Sequence, residues 1–197
     1  MAADLARANE LIRQSAMQGY APAQQALGEN IANGNGFQRD DATAAKLFRA
    51  SADQGDPQAM NEYGEALSSG RGVAKDAAQA AVWFERAAQY GDAHAMHSLA
   101  GLLFAGVGTT RDVLKSYYWA QAALRFYGQN ELDDMPHAAQ LRSELLAAIE
   151  RAVPLQVRQK LDVEVAAFRP KIWSVPSPPL VVPNRGQLES DPSVAAF

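Results

Sequence analysis

Small and apolar residues recur along this chain at helical spacing, and the helical blocks themselves recur. From Ala44 onward, Ala44, Leu47, Phe48, Ser51 and Ala52 fall at i, i+3, i+4, i+7 and i+8, one face of an α-helix. Gly55 predicts the helix end, Asp56 an N-cap and Pro57 the first turn of a second helix. That second helix carries Ala59, Tyr63, Ala66 and Leu67 on its inner face, and Gly70 and Gly72 close it. Asp76, with Gln79 three residues on, predicts a capping box at the next start. The block returns every 36 residues: Gly19, Gly55 and Gly91; Gly34, Gly70 and Gly106; Gly36, Gly72 and Gly108; Asp40, Asp76 and Asp112. The apolar register is Leu11, Leu47, Trp83 and Trp119, then Ala23, Ala59 and Ala95, then Ile31, Leu67 and Leu103. Self-similarity at one period, with no insertion across three units, predicts a stacked array of helix pairs. Alanine at the repeated inward positions lets the helix axes approach closely.

The run Ala80-x-x-Trp83-Phe84-x-x-Ala87-Ala88-x-x-Gly91-Asp92-x-x-Ala95, then Leu99 and Gly106-x-Gly108-x-x-x-Asp112, resembles the Sel-one-like repeat (SLR) family. These are α-solenoid relatives of the tetratricopeptide repeats. The unit at 44–76 repeats the likeness with Leu47-Phe48, Gly55-Asp56, Ala59, Gly64 and Gly70-x-Gly72. The resemblance covers 5–125 closely and 126–168 loosely. It implies an all-α fold, a right-handed α-solenoid superhelix of antiparallel helix pairs. It also implies a non-catalytic adaptor, since family members are mostly adaptors and many are bacterial.

The fourth unit departs from the pattern. Trp119 matches, but Tyr127 stands where a glycine is due and no third glycine pair follows. Pro136 is expected to open a helix through about Ala152, Pro154 to break it, and a last helix to run to about Phe168. Residues 1–127 therefore read as the repeat array, 128–168 as a helical C-terminal cap over the last apolar face, and 169–197 as a proline-rich tail, extended or disordered. Trp173 and Leu180-Val181-Val182 are apolar residues in a segment without a core of its own. They suggest that the tail folds back on the solenoid or docks on a second copy, giving a monomer or a tail-mediated dimer.

Composition narrows the chemistry. Cysteine is absent, which excludes disulfides, thiolate zinc sites and cysteine nucleophiles. The net charge of −4 has the wrong sign for a generic nucleic-acid footprint, and no apolar run is long enough to insert into a membrane. The glycine pairs follow helices rather than strands and lack a third glycine, so they read as helix ends and not as a nucleotide loop. His94 and His97 lie at i, i+3, but no H-E-x-x-H pattern accompanies them, so no metal is expected. Glu131, Asp133 and Asp134 read as a solvated acidic loop, and Arg39, Lys75 and Arg111 as solvated or locally paired cations beside the capping aspartates, with a weak anion-reading stripe as the alternative. No G-x-S-x-G or S-x-x-K motif occurs, no cofactor is expected, and the β-lactamase label of some relatives travels with cysteine-rich versions. The opening Met1-Ala2-Ala3-Asp4-Leu5 shows no leader pattern; the expectation is a cytoplasmic chain, or a periplasmic one if a leader was removed.

Positions that vary between units are those the scaffold does not dictate. On the first helices these slots read Glu10, Lys46, Val82 and Tyr118, and one turn on Arg13, Arg49, Glu85 and Gln121. With Tyr117 in the free slot of Ala81, the candidate partner-binding set is Lys46, Arg49, Val82, Glu85, Tyr117, Tyr118 and Gln121; the alternative for Tyr117 and Tyr118 is packing under the irregular C-terminal cap. In related solenoids the first helices line the concave side, which gives a groove of mixed charge, more apolar toward the C-terminus. The expected function is a scaffold that binds a protein or peptide in that groove. The alternatives are a bacterial immunity protein that blocks a toxic effector such as a phospholipase and, less favoured, a hydrolase. On this reading Tyr118→Ala weakens partner binding and leaves stability nearly unchanged.

Overall fold

The computed structural model describes residues 2–127 and 136–174. The described residues form an all-α helical-repeat solenoid: α1 (Ala2–Met17), α2 (Ala21–Asn33), α3 (Asp41–Ala52), α4 (Pro57–Ser69), α5 (Ala77–Gln89), α6 (Ala93–Ala105), α7 (Val113–Phe126), α8 (Pro136–Ala152) and α9 (Leu155–Ala167). Each of α1 to α7 packs on its neighbours in sequence, and α8 and α9 close over α7. The acidic loop Glu131, Asp133 and Asp134 and the run Leu180-Val181-Val182 lie outside the described residues.

Helix starts follow the local chemistry. Asp40, Asp76 and Asp112 each cap a helix, Asp40 accepting from the backbone N–H of Ala42 and Thr43 and Asp112 from Leu114 and Lys115. Asp56 does the same for α4 and is buried; it also accepts the Ser51 hydroxyl at 3.0 Å. The capping box at Asp76 takes a different form from the reciprocal one. The Gln79 side chain donates to the Asp76 carboxylate at 2.8 Å, while the Asp76 N–H donates to Leu67 O. Asp76 thus ties α5 to the helix before it.

The two glycines of each pair do separate jobs. Gly70 stops α4 in the left-handed region at φ 80°, where a side chain is strained. Gly72 lies against the Asp41 carbonyl at the start of α3, where a Cβ would overlap the backbone. It is a contact between units as well as a helix end.

The core is a ladder of alanines with one large side chain per turn. Leu47, Trp83, Phe84, Met96 and Leu99 are buried within it, and Tyr63 meets Trp83 edge-on at 5.5 Å. Leu11 shares the register of Leu47 yet is 59% exposed, because among the described residues no helix stacks in front of α1. Two contacts show volume compensation. Gly28 faces Phe48 and Gly64 faces Phe84, while the next unit places Ala100 and Ala120 at the corresponding positions in one buried cluster.

Candidate functional site

The first-helix face is only partly open. Lys46 and Arg49 on α3 and Val82 and Glu85 on α5 are exposed, Val82 by 48%, and Arg49 reaches Asp53 at 3.7 Å. The surface assignment of Tyr117 is corrected: it is 3% exposed, and its hydroxyl donates to Asp162 of α9 at 2.8 Å. Burial, with the Asp162 bond second, pushes its phenol up to about 12. Tyr118 is half-buried, edge-on to Trp119 at 5.1 Å and to Phe168 at 6.3 Å, so the expectation of a stability-neutral Tyr118→Ala is also corrected. Gln121 is half-buried and donates to the Tyr117 hydroxyl at 3.2 Å. The physical reason is common to all three: α9 and Phe168 lie over the part of the face that α7 would present.

The second helices carry a feature that the register alone did not single out. α4 and α6 touch directly, and between them opens a cleft of about 540 Å³. Glu65, Ser68, Arg71, His97 and Ser98 line it, with the ring of Phe84 and with Gly101. Gly101 stands at the position of Glu65 and Glu29 in the preceding units, so the loss of a side chain there makes room. The signal was available in the same slot comparison that was applied to the first helices. Second-helix slots read Gln25, Asn61 and His97, then Ala26, Glu62 and Ser98, then Glu29, Glu65 and Gly101. Gln25 and Asn61 are buried, and the Asn61 amide donates to Glu65 at 3.3 Å.

Acidic groups lie beside the cleft, with Arg71 opposing them. Burial, reinforced by Glu65 and then Glu29, pushes the Glu62 carboxyl up to about 7. Burial also raises Asp92, against the pull of its cap bond from Ala95 N–H at 2.7 Å. His94 stands edge-on to Tyr127 at 5.2 Å. No group of three or more histidine and carboxylate side chains among the described residues is arranged to hold a metal ion. The cleft therefore offers the Glu65 carboxylate, the Arg71 guanidinium, the Ser68 and Ser98 hydroxyls and the His97 imidazole beside an aromatic ring, a set suited to hydrogen-bonding a polar segment.

The Sel1 repeat family pattern matches residues 1–20, 21–56, 57–92 and 93–125. This chain belongs to the Sel1 repeat family. Among solved structures, a Sel1 repeat protein from Oxalobacter formigenes is 27% identical with a TM-score of 0.56, over 66% of this chain and 98% of its own. A protective antigen of uropathogenic Escherichia coli that displays an SLR fold is 23% identical with a TM-score of 0.54, over 82% of this chain and 40% of its own. No curated protein matches the chain. Sel1 repeat proteins are typically non-catalytic scaffolds for protein interactions. The Sel1 units begin at α2, α4 and α6, half a unit from the helix pairs read off the first-helix starts. The packing agrees with the Sel1 phase: α2 with α3, α4 with α5 and α6 with α7 are the most extensive pairs. Gly28–Phe48 and Gly64–Phe84 join two of those pairs.

Proposed function

We propose that this chain is a non-catalytic scaffold that binds a protein or peptide partner on the second-helix face, centred on the α4–α6 cleft. The array at 1–127 supplies the surface, the cap at 128–168 closes it, and the tail at 169–197 is accessory. The observation that carries this reading is the cleft itself: the slots of His97, Ser98 and Gly101 change identity from unit to unit, while the alanine ladder beneath them does not. A fixed backbone with free side chains is what a repeat protein uses for recognition. Glu65 in the cleft favours a partner segment with a lysine or arginine, and Arg71 favours an acceptor beside it.

The exposed first-helix residues Lys46, Arg49, Val82 and Glu85 form the competing surface, and the experiment separates the two. Partner capture from the native host is compared for Glu65→Lys with Ser98→Trp, and for Lys46→Glu with Val82→Glu. The cleft pair is expected to lose the partner and the first-helix pair to retain it. Loss with the first-helix pair alone refutes the cleft. No feature of the described residues favours the immunity or hydrolase alternatives over plain binding.

A further inference from the structure

Beyond α9 the chain continues as an extended strap that crosses the turns joining first to second helices. Its start is anchored by the Arg125 guanidinium, which donates to the carbonyls of Val165, Ala166 and Phe168 at 2.6, 3.1 and 3.3 Å. Phe168 sits edge-on to Trp119 and Phe126. The strap then runs against the order of the units. Pro170 lies on Gly91, Lys171 N–H donates to Gln89 O at 2.8 Å, and Trp173 lies on Gly55 with its indole N–H directed at Gln54 O at 3.5 Å. The Lys171 ammonium donates to the Gln89 side chain and stands 5.8 Å from the centre of the Tyr90 ring.

The register of these contacts is regular. Gly91 and Gly55 are one 36-residue unit apart, and Pro170 and Trp173 are three residues apart. An extended or polyproline chain advances about 3.1–3.4 Å per residue, so three residues span roughly 10 Å. Pro170 and Trp173 are therefore far enough apart to meet the corresponding turns of two successive units. Glycine is what makes the seat: a Cβ at Gly91 would stand 3.0 Å from Pro170 Cβ, and one at Gly55 3.2 Å from the Trp173 indole nitrogen. The track continues to Gly19, where nothing among the described residues lies within 4 Å of a Cβ. Ile172, on the strap between the two seats, is 91% exposed and holds nothing down.

We propose that this row of turns is a second recognition surface, separate from the cleft. It takes an extended peptide that presents proline, a cation and tryptophan in the pattern Pro-Lys-x-Trp. The chain's own residues 170–173 are its resting occupant, and they gate access by a partner segment of the same chemistry. Gln54 O and Gln89 O supply acceptors, Tyr90 and the Gln89 side chain receive the cation, and Gly55 and Gly91 receive the rings.

The test uses the full-length chain and a fluorescent peptide identical to residues 167–174, read by polarisation. Pro170→Ser with Trp173→Ala empties the two seats. This variant is expected to bind the peptide at least tenfold tighter than the unaltered chain, and the gain is expected to vanish for a peptide with alanine in place of tryptophan. Lys171→Glu is the second variant, because it removes the ammonium contacts with the Gln89 side chain and the Tyr90 ring without removing a packed ring; a smaller gain in the same direction is expected. Equal binding to the unaltered and released chains, or no saturable binding to either released chain, overturns the proposal. An unaltered chain that is dimeric and that the peptide splits into monomers makes the occupant a second copy, which overturns the intramolecular assignment.

Discussion

Gly64 and Phe84 form a size-matched pair, and exchanging one partner should change the sign of the effect of exchanging the other. A Cβ on Gly64 would lie 2.8 Å from Phe84 Cε1 and 2.9 Å from Cδ1. Ordinary carbon contacts lie at about 3.5–4.0 Å, so the ring must retreat by about 0.7 Å or more. Phe84 is 2% exposed, held in the core apart from the ring edge that borders the α4–α6 cleft, so Gly64→Ala costs about 1–3 kcal/mol in overpacking. Against this, alanine in a helix interior gains about 1 kcal/mol over glycine. The net is a destabilisation of about 0–2 kcal/mol. Phe84→Ala alone costs about 3–5 kcal/mol through the cavity it leaves. With the ring gone, the same Gly64→Ala change fits, keeps its helix gain and fills part of the cavity, so it stabilises by about 1 kcal/mol or more. The double variant reproduces the Ala100 and Ala120 arrangement of the next unit. The coupling energy should be about 1–3 kcal/mol. Urea unfolding of the four chains followed by far-ultraviolet circular dichroism measures it, with equal m values as the check on cooperativity. A Gly64→Ala shift of the same sign and size in both backgrounds would refute the pairing.

Three further outcomes are expected. Glu62 is raised from an ordinary 4.5 to about 7 by burial and by Glu65 and Glu29, so the folded state holds its proton more tightly. Stability therefore falls as pH rises from about 4.5 to 7, and Glu62→Gln should raise the urea midpoint at pH 8 more than at pH 5; an unchanged pH slope would contradict this. Tyr117→Phe removes the 2.8 Å bond between α7 and α9 and should cost about 1 kcal/mol at neutral pH. The phenol is raised to about 12, so its contribution is present below about 10 and lost as pH climbs toward 12; the phenylalanine chain should lack that alkaline loss in a pH-dependent melt. Asp56→Ala strips the cap of α4 and one partner of Ser51, at a cost of about 2 kcal/mol, and Asp56→Asn should recover most of the lost melting temperature.

The sequence by itself determined the helices, their ends and their period, because each of those depends on atoms within a few residues. A left-handed glycine at Gly70, a carboxylate at Asp40, Asp56 or Asp112 reaching an N–H two or three residues on, and apolar spacing along one turn are local events. The tertiary structure decided what each face meets. Leu11 and Leu47 share one slot, but only Leu47 has a helix stacked on it. Tyr117 and Ala81 share another, but only Tyr117 has Asp162 of α9, 45 residues away, to bond. Gly72, read as a helix end, proved also to be the seat of a neighbouring backbone, and Gly55 and Gly91 the seats of Trp173 and Pro170. The candidate site was legible where the slots vary and illegible where a distant segment lands on them. Periodicity states which residues share a side, and packing alone states what, if anything, covers it.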